Sequence, residues 1–194
     1  MYQLPYTDDH LYPENKTARQ FWGRLPCHAA MSLLYFKKGT KTQNLIHHLK
    51  YKGRRELGVK LGNMIGEKLQ LSPDYSGIDV IVPVPLHPHR ERIRGYNQST
   101  CIAEGIAAVL NLPVNTKVLL RRNATKSQTK KGRYERFENM KAVFSVADGV
   151  VLKGMHVLLV DDVMTTGATL EACGIALHTC NISRLSIATV AHAE

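Results

Sequence analysis

The sequence predicts an α/β protein with a mostly parallel β-sheet and helices on both faces. The main observation is the order strand, polar turn, helix after residue 156. Residues 157–160 are apolar, rich in β-branched side chains and too few for a helix, which is typical of a buried parallel strand. After the turn, apolar residues recur at helical spacing, at Leu170, Cys173, Ala176 and Leu177.

Three further apolar runs complete the predicted sheet. We expect strands near Val80, Val118 and Leu185, beside the strand that contains Val157. A helix that begins near Asn97 should cover one face of the sheet, because it carries apolar residues at helical spacing.

The chain is predicted to divide into three segments. They are an irregular N-terminal extension, a helical segment and the main α/β domain, at residues 1–39, 40–77 and 78–194. Within the first segment, residues 29–36 are apolar and fit either a strand or a helix. The second segment contains two amphipathic patterns, at residues 41–52 and 54–71, separated by a glycine.

The composition is basic and otherwise ordinary for a globular protein. The chain has 26 Lys and Arg against 16 Asp and Glu, which gives a formal net charge of +10. This balance predicts anionic partners, either phosphorylated small molecules or nucleic acid. No apolar run reaches membrane-spanning length, so we expect a cytoplasmic protein without membrane insertion. The four cysteines form no C-x-x-C pair, so no zinc ribbon is indicated.

The predicted strand at Val157 leads into two carboxylates and then a turn rich in hydroxyl groups. Asp161 and Asp162 end the strand, and residues 165–169 (Thr-Thr-Gly-Ala-Thr) precede the helix. A helix N-terminus attracts phosphate, and Gly167 allows the backbone to approach such a ligand closely. Carboxylates can accept hydrogen bonds from a ribose diol or bind a divalent cation. We call residues 165–169 the hydroxyl-rich turn.

This stretch resembles the phosphoribosyl pyrophosphate (PRPP) signature of type I phosphoribosyltransferases. The resemblance implies that fold and a reaction in which an acceptor displaces pyrophosphate from C1 of PRPP. It also implies that Asp161 and Asp162 are the catalytic acids, which hold the ribose hydroxyls and a Mg²⁺ cofactor directly or indirectly. The 5′-phosphate would then be bound by Thr165, Thr166, Gly167, Ala168 and Thr169.

Receiver domains of response regulators also have two acids after an apolar strand. Their acid pair ends the first strand, and the phosphorylated aspartate lies on a later strand. No aspartate follows Asp162 in this chain, which excludes that interpretation.

A second stretch resembles the pyrophosphate-binding part of the same fold. Residues 79–85 are predicted to form a strand that enters a proline-rich turn, and several arginines follow. Guanidinium groups can bind phosphate oxygens with two hydrogen bonds. By this resemblance, pyrophosphate would be bound by Leu86, His87, Arg92 and Arg94.

Two segments are similar to the ComF family of competence-associated phosphoribosyltransferase-like proteins. The first runs from Tyr-Phe-Lys-Lys-Gly at residues 35–39 through Leu-Ile-His-His-Leu-Lys-Tyr-Lys-Gly at residues 45–53, and the second is Arg-Gly-Tyr-Asn-Gln at residues 94–98. The family commonly carries a four-cysteine zinc ribbon before this point. This sequence shows none, so either it begins after the ribbon or this lineage lacks it. The resemblance implies a context of DNA uptake or nucleotide metabolism.

The most basic stretch, residues 121–141, is predicted to be a long flexible loop. By resemblance to type I phosphoribosyltransferases it would close over PRPP, with Lys130, Arg133 and Arg136 facing the ligand. Its aromatic residues, Tyr134 and Phe137, equally suit single-stranded DNA, because bases stack on aromatic rings while cations bind phosphates.

Two functions therefore remain open at the level of sequence. The first is a phosphoribosyltransferase with an unidentified acceptor. The second is a non-catalytic PRPP sensor, or an adaptor that binds single-stranded DNA or DNA-uptake proteins. A homodimer is left open.

Overall fold

The structure is a computed structural model that describes residues 4–121, 143–147 and 152–193. The described strands are β1 (Ala29–Phe36), β2 (Val80–Pro83), β3 (Leu119–Arg121), β4 (Phe144–Val146), β5 (His156–Met164) and β6 (Arg184–Ala193). The described helices are α1 (Lys16–Arg19), α2 (Lys41–Tyr51), α3 (Arg55–Gln70), α4 (Pro88–Arg94), α5 (Gln98–Leu110) and α6 (Ala168–His178). Two short 3₁₀ helices lie at Asp9–Leu11 and Pro73–Tyr75.

The main sheet has the strand order β1-β6-β5-β2, and all its pairs are parallel. Successive residues of β5 are buried on opposite faces. Leu158 and Val160 pack with α2, α3 and α5, whereas Val157 and Leu159 pack with the α1 region and α6. Burial on both faces explains why the strand is a continuous apolar run. The predicted α/β class, with helices on both faces, is confirmed.

Two strands add to or change the expected sheet. Residues 29–36, which fit either a strand or a helix, form β1, an edge strand of the main sheet. Their apolar run is buried along most of its length, as expected for a strand covered by helices. The strand near Val118 does not join the main sheet, because β3 pairs antiparallel with β4 in a separate two-stranded sheet. Within the described residues, no helix is long and apolar enough to span a membrane.

The outer edge of β1 is covered by the chain that precedes it. The Thr7 N–H donates to the Leu33 carbonyl at 3.2 Å, and the Tyr35 N–H donates to the Pro5 carbonyl at 2.9 Å. These bonds satisfy backbone groups that would otherwise line a free sheet edge.

Helix α4 was not predicted, because its sequence suggested a basic loop. Pro88 occupies the first turn, where a missing N–H costs nothing. The His87 side chain caps the helix by accepting a hydrogen bond from the His89 N–H at 3.2 Å. Gly95 ends it in the left-handed conformation, with φ of 80°. The result is a short, exposed helix with arginines along it.

Helices α3 and α5 approach each other closely enough to require glycine. A Cβ on Gly62 would overlap the carbonyl of Ile102, and a Cβ on Gly105 would overlap that of Val59. This contact fixes the position of α5, whose N-terminus lies at the site described next.

Candidate functional site

A polar cleft next to the acid pair lies beyond the carboxyl ends of β2 and β5. Its volume is ≈ 330 Å³. Its lining comes from the ends of these strands, from α2, α4 and α5, and from β3: Lys50, Val84, Pro85, Leu86, Arg90, Arg94, Asn97, Gln98, Ser99, Arg121, Asp161, Asp162, Val163, Thr165 and Thr169. In open α/β sheets this edge is where ligands bind.

Asp161 is a partly buried carboxylate held from two sides. Its Oδ1 accepts hydrogen bonds from the Ser99 hydroxyl at 2.9 Å and from the Asp162 N–H at 2.8 Å. Burial, reinforced by the charge of Asp162, raises the pKa of Asp161 from its ordinary 3.8 to about 7. In the free protein this group is therefore an acid poised between its neutral and charged forms.

Asp162 is buried and paired with a cation from another element. Its Oδ2 lies 3.1 Å from the Nζ of Lys50, near the end of α2. That end of α2 is anchored to the connection between α4 and α5 through Tyr96, whose hydroxyl donates to the Leu49 carbonyl. The two adjacent acids thus differ: Asp162 has a partner cation, and Asp161 has hydrogen-bond donors.

The hydroxyl-rich turn forms a small concavity at the N-terminus of α6, with a volume of ≈ 40 Å³. Gly167 begins the helix with φ of 75°, a left-handed conformation that favours glycine. Thr165, Thr166 and Thr169 are exposed there. Because helix N-termini present unpaired N–H groups and a partial positive charge, this geometry can hold a phosphate.

The cleft is also lined by arginines. Arg90 and Arg94 come from α4, and Arg121 ends β3. Burial, together with the charge of Arg90, lowers the pKa of Arg121 below its ordinary value. An anion bound between these two cations would offset their mutual repulsion.

Besides Arg94, one of the residues predicted to bind pyrophosphate lines the cleft and two do not. Leu86 lines the cleft together with Arg94. His87 lies outside the cleft lining, and its ring caps α4. Arg92 is exposed and also outside the lining, because residues two positions apart on a helix face different directions. The predicted loop residues Lys130, Arg133 and Arg136 lie outside the described residues.

Several cleft residues were not among the predicted site residues, and those with charged or hydroxyl side chains are Lys50, Arg90, Ser99 and Arg121. A sequence signal existed for one of them. Arg90 and Arg94 are four residues apart, which places them on one face once α4 is recognised as a helix. Lys50 and Arg121 are brought in by tertiary structure, and no local pattern marks them.

The family model for the phosphoribosyl transferase domain matches residues 98–194, half of the chain. The chain belongs to this family. The matched part begins at α5 and contains Asp161, Asp162 and the hydroxyl-rich turn.

The chain is also similar to curated proteins with competence-related names. It is 31% identical over 128 residues to the DNA utilization protein YhgH of Salmonella typhi, covering 64% of this chain and 56% of that protein. It is 32% identical over 119 residues to Competence protein F of Haemophilus influenzae, covering 59% and 51%. It is 38% identical over 92 residues to Competence protein ComFC of Bacillus subtilis, covering 47% and 35%. The chain thus spans about half the length of the first two relatives. Together with the domain match, they confirm the ComF resemblance.

Solved structures support the fold. The chain superposes on glutamine PRPP amidotransferase from B. subtilis with a TM-score of 0.52 and 19% identity, covering 74% of this chain and 30% of that one. A second structure, an allosteric regulatory enzyme of purine biosynthesis, gives a TM-score of 0.51 and 20% identity, covering 74% and 30%. These matches confirm the type I phosphoribosyltransferase-like fold.

The cleft fits a Mg²⁺ that is bound jointly with a phosphorylated ligand. Among the described residues no group of three His, Cys, Asp or Glu side chains could hold a metal by itself. Mg²⁺ usually takes one or two carboxylates together with substrate phosphates and water. Asp161 can offer its second oxygen, whereas Asp162 is already paired with Lys50.

Proposed function

We propose that this protein binds PRPP in the cleft and transfers its phosphoribosyl group to an acceptor, with release of pyrophosphate. The observation that carries the proposal is that one acid borders two anion-attracting surfaces. Asp161 lines both the concavity of the hydroxyl-rich turn and the cleft that contains Arg90, Arg94 and Arg121. PRPP has a phosphate at one end and a pyrophosphate at the other, with a ribose between them.

In the proposed reaction the acceptor's electron pair forms the new bond to C1, and the bond from C1 to the pyrophosphate oxygen breaks. The pyrophosphate leaves with the bonding pair, and the acceptor gives its proton to solvent. Asp161 and Asp162 accept hydrogen bonds from the ribose hydroxyls and stabilise the positive charge that develops on the ring. Ser99 keeps the Asp161 carboxylate in place.

The arginines stabilise the charge of the leaving pyrophosphate. A Mg²⁺ bound with the substrate would supply further positive charge at the same oxygens. Asp161 is the protein ligand that we assign to it, with Asp162 acting indirectly through its ion pair.

The test of catalysis is pyrophosphate release from PRPP and Mg²⁺ across a panel of bases, amines and ammonia. Release that depends on one acceptor supports a transferase and identifies its reaction. Binding of PRPP without release under any acceptor supports the sensor function instead. Absence of PRPP binding refutes both.

Helix α4 offers a matched pair of variants for the pyrophosphate half of the cleft. Arg90→Ala should weaken the binding of pyrophosphate with Mg²⁺ by about tenfold, because one charged hydrogen-bond donor is lost. Arg92→Ala, two residues away on the same helix and outside the cleft lining, should leave the affinity unchanged. Equal effects of the two changes in calorimetry would refute the assignment.

A second candidate function, binding of single-stranded DNA, is favoured by a surface next to the cleft. Tyr51 is 64% exposed at the end of α2. The guanidinium of Arg94 lies 5.3 Å from its ring centre, and the ring of His47 lies 5.1 Å away. Exposed rings beside cations can stack bases and bind phosphates. The names of the relatives, which refer to DNA utilization and competence, agree with this candidate.

Two exposed tyrosines allow a controlled test of this candidate. Tyr51→Ala should lower the affinity for a single-stranded oligonucleotide by about tenfold or more, the usual scale for one lost stacking partner. Tyr12, which is 62% exposed in the N-terminal segment, is the control. If Tyr12→Ala has the same effect, the binding is nonspecific and the candidate fails.

A further inference from the structure

The segment between α1 and β1 contacts the hydroxyl-rich turn from outside the cleft. Arg24 donates from Nη1 to the carbonyl of Thr166 at 3.0 Å and to that of Gln20 at 3.0 Å. Its Nη2 forms an ion pair with the carboxylate of Glu171. A single guanidinium therefore joins the N-terminal segment to the turn and to the first turn of α6, about 140 residues later in the chain.

The same segment supports the turn from the core. Phe21 is fully buried, and a Cβ added to Gly167 would lie 3.3 Å from its ring. The ring thus packs directly against the glycine that begins α6. The backbone of the turn is thus contacted both by the Phe21 ring at Gly167 and by the Arg24 hydrogen bond at Thr166.

Glu171 explains why a cation is needed at this position. Its carboxylate is buried in the first turn of α6, at the end of the helix that would bind a phosphate. An unpaired carboxylate there would repel a phosphate, and water would screen this repulsion poorly. The guanidinium of Arg24 cancels that charge.

We propose that Arg24 is a positioning residue for the 5′-phosphate half of the site. It fixes the backbone of the turn through Thr166, and it neutralises Glu171 so that an anion can approach the N-terminus of α6. This inference rests on the proposed function, in which the turn binds the 5′-phosphate of PRPP. Arg24 lies outside residues 98–194, so the site extends into a part of the chain that the family match does not cover.

Two probes separate the halves of the site in calorimetry. Ribose 5-phosphate reports on the turn, and pyrophosphate with Mg²⁺ reports on the arginine side. Arg24→Met should weaken ribose 5-phosphate binding by about tenfold and change pyrophosphate binding by less than about twofold, because only the turn loses its support. Adding Glu171→Gln to that variant should restore most of the lost affinity, since the repelling charge is then gone.

Glu171→Gln alone provides a test that does not depend on the folding of Arg24→Met. It frees the charge of Arg24 from its partner and should raise the affinity for ribose 5-phosphate. A lower or unchanged affinity overturns the electrostatic role. So does a loss in Arg24→Met that is equal for both probes and is not restored in the double variant, since that pattern indicates a purely structural residue.

The outcomes also separate this inference from the function on which it rests. Wild-type protein that binds neither probe refutes the proposed PRPP site, and the role of Arg24 with it. Wild-type protein that binds ribose 5-phosphate as tightly as Arg24→Met does refutes the role of Arg24 alone.

Discussion

Replacing Asp161 by Asn should stabilise the free protein while it weakens the proposed site. The pKa of Asp161 is raised from 3.8 to about 7. The unfolded chain therefore loses this proton first as the pH rises, and the folded state is penalised for ionising the group. The penalty is small below about pH 4, grows as the pH rises, and is complete above about pH 7.

The size of the effect follows from the shift. About three pKa units correspond to a penalty of about 4 kcal/mol above pH 7. Because the side chain is partly exposed to solvent, we expect a gain of about 2 kcal/mol for Asp161→Asn. The amide oxygen of Asn can still accept the hydrogen bonds from Ser99 and from the Asp162 N–H, so these contacts need not be lost.

The assay is urea denaturation of the wild type and of Asp161→Asn at about pH 4.5 and about pH 8. At each pH the free energy of unfolding of the wild type is subtracted from that of the variant, so that the effects of other titrating groups cancel. The advantage of Asp161→Asn should be larger at the higher pH. Asp162→Asn is the matched control, and it should destabilise the protein at about pH 8 because it leaves Lys50 without its partner. The reasoning is refuted if Asp161→Asn is less stable than wild type at the higher pH. It is also refuted if the difference in the free energy of unfolding is the same at both pH values.

Three further predictions concern PRPP binding, the contact between α3 and α5, and the basic residues between 130 and 136. PRPP with Mg²⁺, at about one hundred times its dissociation constant, should add about 2.7 kcal/mol to the free energy of unfolding, and an unchanged melting temperature would contradict the proposed site. Gly105→Ala should cost about 1–3 kcal/mol in urea denaturation, because its Cβ would overlap the carbonyl of Val59 across the α3–α5 contact. Changing Lys130, Lys131, Arg133 and Arg136 together to Ala should weaken single-stranded DNA binding at low salt. If that variant loses PRPP binding and keeps DNA binding, these four residues serve the small ligand.

The parts of the site that lie close together in sequence could be predicted. Residues 157–169 contain the strand, both acids and the turn, so their geometry depends on local rules of strand, turn and helix formation. The structure has the acids at the end of β5 and the turn at the start of α6, as expected. Local periodicity also located α2, α3 and α5 to within a residue or two.

The residues that could not be predicted reach the site through contacts between distant segments. Lys50 reaches Asp162 because α2 packs on the sheet, and Arg24 reaches Thr166 because the chain before β1 runs past α6. Neither fact has a local pattern. The prediction that Arg92 and Arg94 both bind pyrophosphate shows the same limit. If residues 88–94 are taken as a loop, nothing distinguishes these two side chains. In the helix, Arg94 lies on the same face as Arg90, and both line the cleft.

The position of β6 has a consequence for how the chain folds during synthesis. This strand lies inside the sheet, between β1 and β5, so β1 cannot gain its partner in the sheet until residues 184–193 have been made. The Ser32 and Thr189 hydroxyls that meet across this pair are 157 residues apart. At ordinary rates of translation that separation means a wait of roughly ten to thirty seconds. During that time the segment around Pro5 and Thr7 can already pair with the outer edge of β1, because it is nearby in sequence. The inner edge stays open to other chains during that time, so pairing between chains before β6 is made is the aggregation route that we expect.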